Sequence, residues 1–218
     1  MARFDVPRLG SGRYGTCRHY EGAAVHMSCR TFFSPDKARY VLFPESVLQH
    51  MYSCAQRRWN QTEAGGEIYS PTPYSPSLLV DAVTGPHPKD RRGRHAYNPD
   101  VASATRARNA EYERGRHAVG LWHTHPEPQP SPSGRDRATT EDYLDAFGDD
   151  RERYLMVIVG NHGETPAMTV WSAEKGGGWQ CWFEFRGQPS DLPVTTIRYD
   201  KGGDFDGSPE RDFCIGRR

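Results

Sequence analysis

The chain has no disulfide framework. Its five cysteines, Cys17, Cys29, Cys54, Cys181 and Cys214, are odd in number and widely scattered, and none are spaced as CxxC. Neither a disulfide framework nor a cysteine-based zinc knuckle is therefore indicated, and a reducing cytosol is the simpler setting. Net charge is missing too. The 28 basic side chains balance 28 acidic ones, so no electrostatic grip on nucleic acid or anionic lipid is predicted. The clearest basic run, residues 89–95, is too short to alter that balance. No apolar run approaches the ~20 residues that span a bilayer, and the N-terminus carries early charges where a signal sequence would be apolar. The expectation is a soluble, cytoplasmic protein with no nucleic-acid and no membrane partner. Internal repeats are absent as well.

What is present fits one α/β domain: 218 residues suffice for a well-buried core and are short for two. Residues 1–20, rich in Gly and Arg without periodicity, read as a poorly ordered leader, 21–187 as the domain, and 188–218 as a loosely ordered tail. Within the domain, strands are predicted at 23–33 and 40–43. Pro44 then opens a helix whose apolar stripe, Val47, Leu48, Met51, Tyr52 and Ala55, continues to about residue 58. A strand at 77–83 precedes a polar, basic insertion at 85–99. A helix over 100–116 leads to a strand at 118–122, and another helix ends at Gly148. The continuous apolar run 154–159 reads as a buried central strand, and two more strands are expected at 168–171 and 179–185.

The chemistry concentrates in Gly120-Leu121-Trp122-His123-Thr124-His125-Pro126. On an extended strand, residues two apart share a face, so His123 and His125 can reach one ion together. The next ten residues hold four prolines, a stiff excursion that returns Asp136 towards the histidines. Two imidazoles and a carboxylate leave zinc a fourth position for water, as in hydrolytic sites. Ser133-x-x-Asp136 also has the form of a capping box, which would fix the first helical turn and aim Asp136. Upstream, residues 63–69 read Glu-Ala-Gly-Gly-Glu-Ile-Tyr. Adjacent glycines in a strand imply close backbone approach or a bulge. A regular strand would put Glu63 and Glu67 on one face, and a bulge at the glycines would separate them. Either carboxylate could be a base.

The string His-Thr-His-Pro, six residues, Ser, two residues, Asp resembles the signature of the JAMM (MPN-plus) zinc metalloproteases at every fixed position. The resemblance implies a mixed α/β fold with a curved sheet flanked by helices, and one Zn²⁺ per chain on His123, His125 and Asp136. It assigns Glu63 as acid/base, from the Glu-x-x-Gly pattern, and Ser133 as oxyanion donor. Gly65 departs from a frequent cysteine and Glu67 from a usual apolar residue. The phrase Trp-His-Thr-His-Pro-Glu, with residues 82–86 and 90–92, looks most like the prokaryotic JAB subgroup associated with bacterial ubiquitin-like, often antiviral, conjugation operons. That implies an isopeptidase cutting after the C-terminal glycine of a ubiquitin-like protein, with that protein, its conjugates and its activating and conjugating enzymes as partners. A silent scaffold of the same fold, or a hydrolase of sulfur-carrier or small amide conjugates, are the alternatives. Arg91, Arg92 and Arg94, beside Lys89 and His95, are the expected docking residues for an acidic partner surface.

Overall fold

A computed structural model describes residues 29–185. The leader, the tail and the first part of the strand expected at 23–33 lie outside the described residues, as do Cys17 and Cys214. The elements in chain order are β1 (Arg30–Phe33), β2 (Tyr40–Phe43), α1 (Glu45–Ser53), β3 (Gly65–Ser70), β4 (Ser77–Leu79), β5 (Ala82–Val83), β6 (Arg91–Gly93), β7 (Ala96–Asn98), α2 (Val101–Glu113), β8 (His117–Thr124), α3 (Gly134–Ala146), a 3-10 turn (Gly148–Asp150), β9 (Arg153–Val159), β10 (Met168–Glu174), β11 (Trp179–Cys181) and β12 (Phe183–Glu184). The strands form a six-stranded sheet in the order β11-β10-β9-β8-β3-β5, a four-stranded sheet in the order β12-β1-β2-β4, and a β6–β7 hairpin. Both larger sheets are mixed, with parallel pairs at β8–β9 and β2–β4. The α/β fold expected from the sequence is the fold found. Among the described residues, no helix is long and apolar enough to cross a membrane.

Alternation along β8 and β9 decides which face carries chemistry. Trp122, Leu155, Val157 and Val159 point into the main core with Phe32, Phe43 and the buried stripe of α1, Val47, Leu48 and Met51. Their sequence neighbours face the other way, where Leu144 and Tyr154 pack with Leu121, Tyr143 and Phe147 under α3. His123, two residues from Leu121, therefore emerges on the α3 side. The parallel β8–β9 pair needs a crossover, and α3 supplies it.

Two expected strands each turn out to serve both sheets. In place of one strand at 77–83, β4 pairs with β2 and β5 pairs with β3. The chain changes partners between Val80, whose amide donates to Leu42, and Asp81, whose amide donates to Tyr69. The strand expected at 179–185 divides at Trp182 in the same way: β11 pairs with β10, and β12 with β1. The first helix also stops sooner than its apolar stripe suggests, at Ser53. Beyond it, Gln56 turns a fully buried side chain inward.

Candidate metal centre

β8 delivers His123 as its penultimate residue and His125 just beyond its end, where the His125 amide still donates to Val159 O at 2.9 Å. Both side chains are buried. Asp136 arrives on the first turn of α3. Ser133 is the N-cap, its hydroxyl accepting from the Asp136 amide, while the Ser133 amide donates to Asp136 Oδ2 at 2.7 Å. The cap thus orients the carboxylate, as the sequence pattern suggested. The Nε2 atoms of His123 and His125 stand 2.9 Å apart, and each lies 3.5 Å from an Asp136 oxygen. These three residues bring ligand atoms within 4.8 Å of one another.

Tetrahedral ligands on bonds of about 2.1 Å sit about 3.4 Å apart, so this triangle suits a small dication such as zinc. The donor chemistry agrees: two imidazole nitrogens and one carboxylate, three ligands in all. Turning Nε2 of His125 to a cation places its proton on Nδ1, which is buried without a hydrogen-bond partner, with Glu127 Oε2 at 3.8 Å. A carboxylate there is the usual support for a ligating imidazole. Electrostatics point the same way. Burial alone would raise Asp136, but the imidazoles of His123 and His125 outweigh it and hold the carboxyl well below its ordinary range. Burial works to lower His125, whereas its hydrogen bond to Asp136 and the charges of Asp136, Glu63 and Glu127 push it up. Three acids around two imidazoles attract a cation.

Glu63 and Ser133 line the same cleft, of about 280 Å³, as His123, His125 and Asp136. Burial, with Asp136 and Glu127 nearby, pushes the Glu63 carboxyl up to about 7. That is the range of a group that can take and return a proton near neutral pH. Glu67 is differently employed. Its buried carboxylate is held by the Arg108 guanidinium and by the Tyr69 hydroxyl at 2.6 Å. Of the two candidate bases, only the Glu63 carboxyl has no hydrogen-bond or ion-pair partner among the described residues. Of the two readings of the glycines, close approach is the one found, and the register shift of β3 lies between Ile68 and Tyr69, which pair with Gly120 and Ala118. Gly65 and Gly66 mark close approach: a Cβ on Gly65 would stand 2.7 Å from Trp122 O, and one on Gly66 1.8 Å from Thr84 O.

The guanidinium groups of Arg92 and Arg94 are partly engaged by main chain. Arg92 donates to the carbonyls of Glu63 and Thr62, and Arg94 to those of Trp59 and Arg58. Arg91 is exposed and has no side-chain hydrogen bond among the described residues. Sequence reasoning missed Gln56 and Thr124. Thr124 Oγ1 accepts from the Ala64 amide at 3.0 Å, and Gln56 Nε2 donates to the carbonyls of Gln61 and Arg94 at 3.2 and 2.9 Å. Thr124 was legible as the residue between the histidines that must face the opposite side, whereas nothing local marks Gln56.

Residues 44–174 match the family described as prokaryotic homologs of the JAB domain. Among solved structures, a Desulfitobacterium hafniense protein is 19% identical with a TM-score of 0.46, covering 66% of this chain and 88% of that one. A Salinibacter ruber protein is 20% identical with a TM-score of 0.40, covering 67% and 88%. Among curated proteins, none matches the chain.

Proposed function

Since the chain belongs to the prokaryotic homologues of the JAB domain, we propose that it is a zinc-dependent isopeptidase that cuts after the C-terminal glycine of a ubiquitin-like protein, releasing it from conjugates or trimming its precursor. The observation that carries this reading is the convergence of His123, His125 and Asp136 in one cleft with Glu63, a buried carboxyl outside that ligand cluster. A zinc ion held by the three ligands would activate water and polarise the scissile carbonyl. Glu63 accepts the water proton and passes it to the leaving amine. Ser133, whose Oγ accepts from the Asp136 amide, keeps its own hydroxyl proton to donate to the developing oxyanion.

The cellular setting that fits is cytoplasmic, in a bacterial ubiquitin-like pathway directed against phage, with activating and conjugating enzymes as further partners. An acidic modifier surface would meet Arg91 first, an exposed arginine of the basic loop whose side chain has no hydrogen bond among the described residues. The test is direct. Purified protein should hold about one zinc per chain and process a glycine-ended ubiquitin-like precursor, with mass spectrometry locating the cut. Glu63→Gln should keep metal and bind substrate without turnover, while His123→Ala with His125→Ala should lose the metal. Wild-type protein without zinc, or zinc unaffected by the double substitution, would sink the proposal. A small glycyl amide run in parallel shows whether the protein body of the substrate is required.

A further inference from the structure

Glu63 precedes β3, so no sheet ladder fixes it. The β6–β7 hairpin does so instead. The Glu63 amide donates to Gly93 O at 2.8 Å, and the Glu63 carbonyl accepts from Arg92 Nε. On either side, Thr62 O accepts from Arg92 Nη2 at 3.4 Å and Gly65 O from the Tyr97 hydroxyl at 2.7 Å. Ala64 is tied in the opposite direction, to Thr124: amide to Oγ1 at 3.0 Å, and Thr124 amide to Ala64 O at 2.8 Å. Thr124 stands between the two histidines. The acid and the histidines are therefore joined through main chain only one residue from each. Gln56 locks the joint from behind, contacting Thr124 Oγ1 as well as the carbonyls of Gln61 and Arg94.

Arg92 is exposed, yet two of its three guanidinium nitrogens are turned inward. Arg92 directs its donors at the peptide units that carry the acid. We propose that the β6–β7 hairpin is a clamp that sets the Glu63 carboxylate against His123 and His125, with Arg92 as its positioning residue. The proposal rests on Glu63 being the proton carrier. Proton transfer needs heavy atoms within about 3 Å, and a displacement of about 1 Å costs on the order of a hundredfold in rate.

The experiment compares wild type, Arg92→Ala and Arg92→Lys in the full chain. Amide hydrogen exchange by NMR is read in the metal-free protein, then zinc content, kcat and KM. In Arg92→Ala the Glu63 and Ala64 amides should exchange at least about tenfold faster, with β9 amides unchanged. Zinc should be retained, and kcat should fall about 10- to 100-fold with KM within about twofold. Arg92→Lys, which keeps one donor for the Glu63 carbonyl, should recover part of both losses, and it carries the test alone if Arg92→Ala does not fold. Unchanged exchange and kcat overturn the clamp, as does a raised KM at constant kcat, which would return Arg92 to docking. If wild-type protein turns over nothing, the isopeptidase reading fails, and the exchange rates alone decide the clamp.

Discussion

Replacing Glu63 by glutamine should make the metal-free protein more stable, and only where the acid would be charged. The carboxyl titrates near 4.5 when solvated and is pushed up to about 7 in the fold, chiefly by burial, then by the acids around it. Because the folded value is the higher, the native state holds the proton through that window. The associated stability is complete below about 4.5 and is lost as pH rises through about 7. At 1.36 kcal/mol per pH unit, ionising Glu63 in the fold costs about 3 kcal/mol by pH 8.5 and less than about 1 kcal/mol at pH 5. Glutamine has nearly the same volume and leaves no cavity, so the difference between the two proteins isolates the charge. Urea unfolding of wild type and Glu63→Gln in chelator, at pH 5 and pH 8.5, measures it. The variant should gain about 3 kcal/mol at pH 8.5, which for a domain of this size is a rise of several degrees in Tm. Adding zinc should then stabilise wild type more than the variant, because a dication compensates the ionised carboxylate. Equal stability at pH 8.5, a less stable variant, or a gain of the same size at pH 5 would refute the reasoning.

Asp136 has two duties that substitution can separate. Asp136→Asn retains an acceptor for the Ser133 amide but loses the charge that the two imidazoles favour, so zinc affinity should drop and the metal-free fold should melt below wild type at neutral pH; Asp136→Ala should lose in addition about 1 kcal/mol of helix cap. Isothermal titration and thermal melts of the same samples read the two effects. Gly66→Ala places a methyl 1.8 Å from Thr84 O, whose carbonyl also accepts from the Trp122 indole, and should cost at least about 2 kcal/mol in denaturant titration. A fully stable Gly66→Ala protein would mean that the β5 end moves freely away from β3.

The parts of the site visible in the sequence are those set by local rules. The two-residue repeat of a strand puts His123 and His125 on one side, and the Ser133 to Asp136 spacing is a helix cap wherever a helix begins. An apolar stripe at helical spacing likewise located α1, and a continuous apolar run located β9. What stayed hidden depends on residues distant in sequence. Glu67 looked available as a base because its partner, Arg108, lies on another element; the pair is formed only when α2 packs across β3. The main-chain hydrogen bonds of Arg92 and Arg94 were hidden as well, because a basic loop shows charge and not direction, and their carbonyl partners belong to the loop before β3. The run at 77–83 is uniformly suited to a strand, and periodicity cannot say that its two ends belong to different sheets.

The pairing of β1 with β12 sets a rule for making the protein. Phe32 lies opposite Glu184 and Phe33 opposite Phe183, with Arg30 in an ion pair to the Glu184 carboxylate. During synthesis β1 leaves the ribosome with one edge open, and its partner is among the last of the described residues to emerge. Until then the nascent chain offers unpaired strand groups to any neighbour on the polysome, the condition that favours aggregation and chaperone capture. The same seam governs truncation. A recombinant fragment cut to residues 44–174 would omit β1, β2 and β12 together, leaving β4 without a sheet and the apolar face of α1 uncovered. Such a fragment would retain every residue of the candidate metal centre and still be expected in inclusion bodies.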